Sequence, residues 1–162
     1  MVILKTPQEI LKMRKSGKIT AAVLAMMGEL ARPGVTTGEL DRKAERLILD
    51  MGGKPAFKGY MDYPSTLCTS VNDEVIHGMP GDRVLEEGDI LSIDTGAVLD
   101  GFYSDAAVTL PIGDVSEEAS RLMEATRRSL EKGIEAARAG GRLGDIGNAV
   151  QSVAEGAGYS VV

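Results

Sequence analysis

The stretch that most constrains the fold is an apolar hairpin, Gly88 to Gly113, which carries one aspartate on each side of its turn. Apolar alternation around Leu99-Asp100-Gly101 predicts two antiparallel strands joined by a tight connection. A four-residue loop over Val98–Gly101 would set Asp94 directly opposite Asp105. A tighter turn would shift that register unless a bulge restored it.

Asp94 and Asp105 both have apolar neighbours along their strands. Two carboxylates that face each other on one sheet face repel, and in a dry site one of them should hold a proton. A bound cation removes this conflict, because hard divalent ions prefer oxygen ligands and one carboxylate can bridge two metals. An edge hairpin whose aspartates point into water is the other interpretation, and the residues alone leave both open.

Composition bounds the class of protein. The 162 residues are enough for one domain with a core, and the net charge of -6 without a basic block argues against nucleic acid or an anionic membrane as partner. A single cysteine, Cys68, excludes an internal disulfide and suits a reducing compartment. No apolar run reaches transmembrane length and no signal peptide is visible, so we expect a soluble, cytoplasmic protein.

Helix and strand signals follow one another along the chain. Three capping boxes, at Thr6–Glu9, Thr36–Glu39 and Asp114–Glu117, predict helix starts. Helical spacing of apolar residues and glycine or proline breaks predict helices from Thr6 to about Ala31, from Thr36 to Gly52, from Asp114 to about Gly140, and from Leu143 to Glu155. Short strands are predicted at Thr66–Val71, Val75–Gly78 and Tyr159–Val162.

The helical parts of the chain form an internal repeat. Displacing the chain so that Leu24 falls on Leu130 also places Gly34 on Gly140 and Gly52 on Gly158, which indicates a duplication. Strands follow the first helix pair, whereas only four residues follow the second. We therefore expect a single domain that is incomplete, with a first α/β half at 1–113 and the helices of a second half at 114–162.

Three sequence motifs carry a family resemblance. The run CTSVNDEVIHGMP (Cys68–Pro80), followed by GDILSID (Gly88–Asp94) and DGFYSD (Asp100–Asp105), resembles type I methionine aminopeptidase of the bacterial kind. The similarity extends to the opening residues Lys5–Ile10 and covers essentially the whole chain. It implies a pita-bread fold of the α/β (α+β) class, in which two pseudo-symmetric halves flank a curved antiparallel sheet with helices, here truncated at its C-terminal end.

The resemblance also implies a dinuclear metal site and assigns roles to individual residues. Asp94 and Asp105 match two aspartate ligands, with Asp105 as the bridging one, and His77 matches a catalytic histidine that contacts substrate and stabilises the transition state. Four residues match the pocket for the methionine side chain, namely Phe57, Tyr60, Tyr63 and Cys68. The implied cofactors are two divalent ions per complete site (Co, Mn, Fe, Zn or Ni).

The implied activity is removal of the N-terminal methionine from nascent proteins and peptides, with the ribosome as a candidate partner. The family is monomeric, and we expect the shorter chain to self-associate through exposed apolar surface. The resemblance places a further histidine ligand in a Gly-His-Gly segment shortly after Val162, and two glutamate ligands and a second catalytic histidine later. We therefore expect the 162 residues to be inactive alone.

Two other functions compete with this interpretation. A non-catalytic pita-bread module could bind peptide N-termini or a ribosomal partner, although such a binder has no need for buried facing carboxylates. A proline-specific peptidase of the same fold is the other, and the run from Cys68 to Pro80 argues against it. A histidine before Gly-Met-Pro is also common as a turn residue, so His77 depends on the resemblance for its role.

Overall fold

The computed structural model describes residues 3–161, and the chain divides into two compact units, Met1–Val115 and Ser116–Val162. The part of the first unit that is described contains two α-helices and a four-stranded antiparallel sheet. None of the helices within residues 3–161 is long and apolar enough to cross a bilayer.

The two helices of the first unit start where the sequence predicts. Helix α1 spans Pro7–Leu30 and helix α2 spans Thr37–Asp50. Each begins with a complete capping box, in which the threonine side chain accepts a hydrogen bond from the glutamate N–H and the glutamate side chain accepts one from the threonine N–H. Hydrogen bonding to the Thr6 N–H and hydroxyl lowers the pKa of Glu9, so this cap is charged at neutral pH.

The sheet is built around one long central strand. Its strands are β1 (Lys54–Pro55), β2 (Leu67–Val71), β3 (Ile90–Leu99) and β4 (Phe102–Pro111). Strand β4 pairs with β3 along one edge, and β2 and β1 pair with successive parts of its other edge, all antiparallel. The strand predicted at Thr66–Val71 is therefore confirmed.

The turn of the hairpin is tighter than a four-residue loop. Leu99 pairs with Phe102, which leaves Asp100 and Gly101 as the two turn residues, both with positive φ (51° and 80°). This is the geometry of a type I′ turn, whose right-handed twist matches that of the strands it joins. Of the two turns considered, the tighter one forms, because β3 stays in the ladder for two more residues, Val98 and Leu99.

One face of the sheet packs against α1 and α2 and forms the core. Alternate β3 residues, Leu91, Ile93 and Ala97, are fully buried there with apolar side chains of both helices. Hydroxyl groups also join α1 to the hairpin. Ser16 donates to the Ala97 carbonyl at 2.9 Å, and the Ser104 hydroxyl lies 2.8 Å from that of Ser16.

The second unit contains α3 (Glu117–Ala136) and α4 (Leu143–Gly156). Ser116, not Asp114, caps α3, because its side chain accepts from the Ala119 N–H; the third predicted capping box is therefore wrong. No strand forms over Tyr159–Val161, because no described strand pairs with this segment, and Val162 lies outside the described residues. The internal duplication stays a prediction.

Candidate metal centre

Asp94 and Asp105 lie on the sheet face opposite the helices, on neighbouring strands. Asp94 pairs with Ala107, and Asp105 pairs with Gly96. Because side chains alternate between faces, this register keeps both carboxylates on one face, and that part of the prediction is confirmed. They are not directly opposite, since the two-residue turn offsets them diagonally, which is the shift expected of a turn tighter than four residues.

The environment of Asp94 is unusual for a carboxylate. Its Oδ1 atom is buried and has no hydrogen-bond partner among residues 3–161. Burial raises the pKa of Asp94, and the nearby negative charge of Asp105 raises it further. The interpretation in which both aspartates simply point into water does not hold for Asp94.

An orphaned buried oxygen beside a second carboxylate is the donor set that a hard divalent cation prefers. The two aspartates therefore fit a metal ion on geometric and electrostatic grounds. Within the described part of the chain, no group of three or more His, Cys, Asp and Glu side chains is placed to hold a metal. Residues 3–161 thus supply a two-carboxylate part of a ligand set.

Cys68 and Tyr63 lie beside Asp94. Cys68 is the register partner of Asp94 on β2, its side chain shares the face of the aspartates, and the residue is only 7% exposed. Burial raises the pKa of the Cys68 thiol. Burial also raises the pKa of Tyr63, whose hydroxyl donates to the Leu67 carbonyl at 2.8 Å. Both groups are therefore neutral at pH 7.

Phe57 lies against the sheet at Gly96, the register partner of Asp105. A Cβ atom on Gly96 would come within 2.9 Å of a Phe57 ring carbon and of the Ala56 Cβ. Only glycine therefore lets the aromatic ring approach this closely. Sequence reasoning did not single out Gly96, although a glycine inside a strand is the known signal for such an approach.

Tyr60 is the pocket candidate with the least support from the geometry. It begins a short 3-10 helix, Tyr60–Asp62, and its side chain is among the exposed ones, at 70%. No hydrogen bond or ion pair of its side chain occurs within residues 3–161. Its assigned role in binding the methionine side chain stays a prediction.

His77 lies in a loop after β2, and the strand predicted at Val75–Gly78 does not form. The reason is the backbone of His77, whose φ of 60° is left-handed and incompatible with a β-ladder. Two hydrogen bonds hold the end of the loop, from the Thr69 N–H to the Gly78 carbonyl (2.7 Å) and from the Gly78 N–H to the Ser70 hydroxyl (3.0 Å).

His77 is exposed at the end of this loop. A smaller influence of His77 lowers the pKa of Asp94, opposing burial and Asp105. The hydrogen bonds of Gly78 to Thr69 and Ser70 hold the end of the loop against β2, the strand that pairs with β3 at Asp94.

Asn72 joins the end of β2 to the start of β3 and was not predicted to have a role. Its backbone is left-handed (φ 56°), its side-chain oxygen accepts from the Ile90 N–H at 3.0 Å, and its amide donates to Asp89 at 2.7 Å. The Asn72 side chain therefore accepts the hydrogen bond of the Ile90 N–H at the point where β2 turns away from β3. An Asn-Asp pair after a strand is the sequence signal for such a turn.

Two aspartates on one face of an antiparallel sheet, with two helices behind the sheet, fit the class of pita-bread metallopeptidases. The chain belongs to metallopeptidase family M24, which matches residues 11–162. The resemblance derived from the sequence motifs is therefore confirmed, and so is the fold class.

Individual relatives agree with this assignment. The chain is 50% identical over 163 residues to the methionine aminopeptidase of Clostridium acetobutylicum, covering 100% of this chain and 65% of that relative. For that of Clostridium perfringens the identity is 51% over 162 residues, with the same coverage. The crystal structure of methionine aminopeptidase from Rickettsia prowazekii matches with a TM-score of 0.97 at 40% identity, covering 100% of this chain and 65% of that one. The chain thus spans 65% of the length of these relatives.

Proposed function

We propose that this chain supplies the paired-aspartate part of a metal-dependent aminopeptidase site that removes the N-terminal methionine from nascent proteins and peptides. The observation that carries the proposal is the buried, unpartnered Oδ1 of Asp94 beside the carboxylate of Asp105. A purely binding module gains nothing from this costly arrangement, whereas a metallopeptidase needs it. The identity to methionine aminopeptidases supports the choice of substrate.

Asp94 and Asp105 would hold the cations, with Asp105 as the bridging ligand. Two divalent ions, drawn from Co, Mn, Fe, Zn or Ni, would supply Lewis acidity toward the scissile carbonyl and the attacking water when bound. His77 would donate a hydrogen bond to the negative charge that develops on the carbonyl oxygen. The hydrogen bonds of Gly78 to Thr69 and Ser70, which hold the end of the His77 loop against the strand next to Asp94, support this role.

The methionine side chain would enter the space beside the aspartates. Phe57, Tyr63 and Cys68 offer a ring, a half-buried phenol and a thiol there, and a neutral thiol suits an apolar thioether. Tyr60 would contribute at the rim. We place the reaction in the cytoplasm, where nascent chains emerge and a single free cysteine stays reduced, with the ribosome as a candidate partner.

The test is methionine release from Met-Ala-Ser with added manganese, using a version of the chain extended through the later ligand segments that the resemblance implies. We expect Asp105→Asn to lower the rate by more than about 100-fold, since removing a ligand should cost at least as much as removing its supporting partners. Asp50→Asn is the matched control, because Asp50 pairs with Arg46 on α2 and should leave the rate unchanged.

Two results would contradict the proposal. One is undiminished methionine release by Asp105→Asn. The other is faster hydrolysis of an Xaa-Pro dipeptide than of Met-Ala-Ser by the unsubstituted version, which would favour the proline-specific alternative.

A further inference from the structure

We infer that Glu74 is a positioning residue for His77: its carboxylate fills the loop after β2 and holds the backbone in the shape that presents the imidazole to the aspartates. This inference rests on the proposed function for the role of His77. Glu74 lies within the run Cys68–Pro80, six residues before its end, and has no assigned part in metal binding or in the pocket.

The loop needs such support because its backbone is strained. Asn72 and His77 both have positive φ, at 56° and 60°. Left-handed conformations in residues other than glycine are strained, and they persist only where surrounding contacts fix them. The side chain of Asn72 is fixed by Ile90 and Asp89, whereas His77 is exposed and its ring makes no such contact within residues 3–161.

Glu74 connects the two ends of the loop. Its Oε2 accepts a hydrogen bond from the Val71 N–H at 2.9 Å, at the last residue of β2. Its Oε1 accepts one from the Arg83 guanidinium at 2.7 Å, beyond His77 in the chain. One side chain thus ties the residue before the loop to the segment that follows it.

The same carboxylate packs against the residue that follows His77. A Cβ atom on Gly78 would lie 2.8 Å from Glu74 Oε2 and 2.3 Å from the Thr69 carbonyl oxygen. Gly78 is therefore enclosed between the strand and Glu74, and a change in the Glu74 side chain would be felt directly at the His77–Gly78 peptide.

The segment that carries Arg83 is itself fixed to the start of α2. The Arg83 carbonyl accepts from the Thr37 N–H at 3.0 Å, and the Gly81 carbonyl accepts from the Gly38 N–H at 2.8 Å. The Glu74–Arg83 ion pair is half-exposed, with side chains 41% and 45% accessible, so water screens it and it contributes little alone. The hydrogen bond to the Val71 N–H is therefore the contact that positions His77.

The test uses the fact that the chain contains one histidine, so its imidazole signals in a nuclear magnetic resonance spectrum are unambiguous. We expect Glu74→Ala to shift and broaden the His77 ring signals and to speed hydrogen exchange at the Gly78 amide by about 10-fold or more, the result of losing about 1.4 kcal/mol of local stability. Glu74→Gln keeps an oxygen for the Val71 N–H and should restore both readouts.

Asp50→Ala is the matched control, since it removes an exposed carboxylate from an ion pair that does not touch the loop. Glu74→Asp retains the charge but has a shorter side chain, so it should move the His77 signals in the same direction by a smaller amount. This variant replaces Glu74→Ala in the test if Glu74→Ala does not fold. The inference is overturned if Glu74→Asp leaves the His77 signals unmoved, if Glu74→Ala behaves like Asp50→Ala, or if Glu74→Gln fails to restore them. These readouts need neither metal nor substrate, so they separate this inference from a failure of the proposed function.

Discussion

Asp94 and Asp105 share one face of the β3–β4 hairpin and stand two residues out of register, with Asp94 opposite Ala107 and Asp105 opposite Gly96. Directly opposed side chains have Cβ atoms about 4.5–5.5 Å apart, whereas diagonal neighbours are separated by roughly 7–8 Å. The offset leaves room for a cation between the carboxylates, while the Asp94 Oδ1 atom remains buried.

The stability of the metal-free chain should depend on the protonation of Asp94. Burial and Asp105 raise its pKa above the ordinary value of 3.8, so the folded chain binds this proton more tightly than the unfolded chain. The stability associated with Asp94 is therefore fully present below its ordinary pKa, and it is lost as the pH rises through the raised pKa.

We predict that Asp94→Asn is more stable than the wild-type chain near pH 7, and that the gap narrows toward about pH 4. Urea unfolding in the presence of a chelator, at about pH 7 and about pH 4, measures the free energy of unfolding of the variant and of the wild-type chain. A gap of equal size at the two pH values, or a less stable variant near pH 7, would show that the Asp94 carboxylate is not strained in the apo chain.

Replacement of Gly96 by alanine should destabilise the chain by about 1–3 kcal/mol, because the new methyl group would overlap the Phe57 ring and the Ala56 side chain. Gly17→Ala is the control: Gly17 lies inside α1, nothing approaches its Cβ position within 4 Å, and alanine there should stabilise by up to about 1 kcal/mol. Thermal or urea unfolding distinguishes the two. Equal effects would mean that Phe57 does not pack on Gly96.

Several elements could be predicted from the sequence because local residues determine them. The capping boxes at Thr6 and Thr36 are satisfied within one helical turn, so no distant contact can change them. The shared face of Asp94 and Asp105 follows from strand alternation alone, which any register with an even offset preserves.

Other features depend on contacts that the sequence does not show. The exact register depends on whether Leu99 and Phe102 pair, and a few tenths of a kcal/mol in the turn can decide that. The backbone of His77 is left-handed, in a loop where Glu74 accepts a hydrogen bond from the Val71 N–H, and the sequence does not show this side-chain contact. The close approach of Phe57 to the sheet likewise requires the missing side chain of Gly96.

The thiol of Cys68 should be unreactive in the folded chain. The thiolate is the reactive form, and burial both raises the thiol pKa and leaves the residue 7% exposed. We predict that Cys68 reacts with an aromatic disulfide reagent near pH 8 at least about 10-fold more slowly in the native chain than in urea. Equal rates in the two conditions would place the thiol in solvent and remove it from the methionine pocket.

Assayed alone, the 162-residue chain should release methionine from Met-Ala-Ser more than about 100-fold more slowly than the version extended through the later ligand segments. The reason is ligand number, because Asp94 and Asp105 provide only two carboxylates for ions that bind about six donor atoms. Comparable rates would contradict this, and a second copy of the chain would then be the source of ligands to look for.

The central claim, that Asp94 and Asp105 form a cation site, is tested most directly by adding substoichiometric Mn²⁺ to the isotope-labelled chain and recording amide resonances. A paramagnetic ion broadens the signals of residues around it, and magnesium serves as the diamagnetic control. We predict selective broadening at Asp94, Asp105 and Cys68 that disappears in the Asp94→Asn, Asp105→Asn double variant. Broadening centred elsewhere on the chain, or unchanged in the double variant, would contradict the claim.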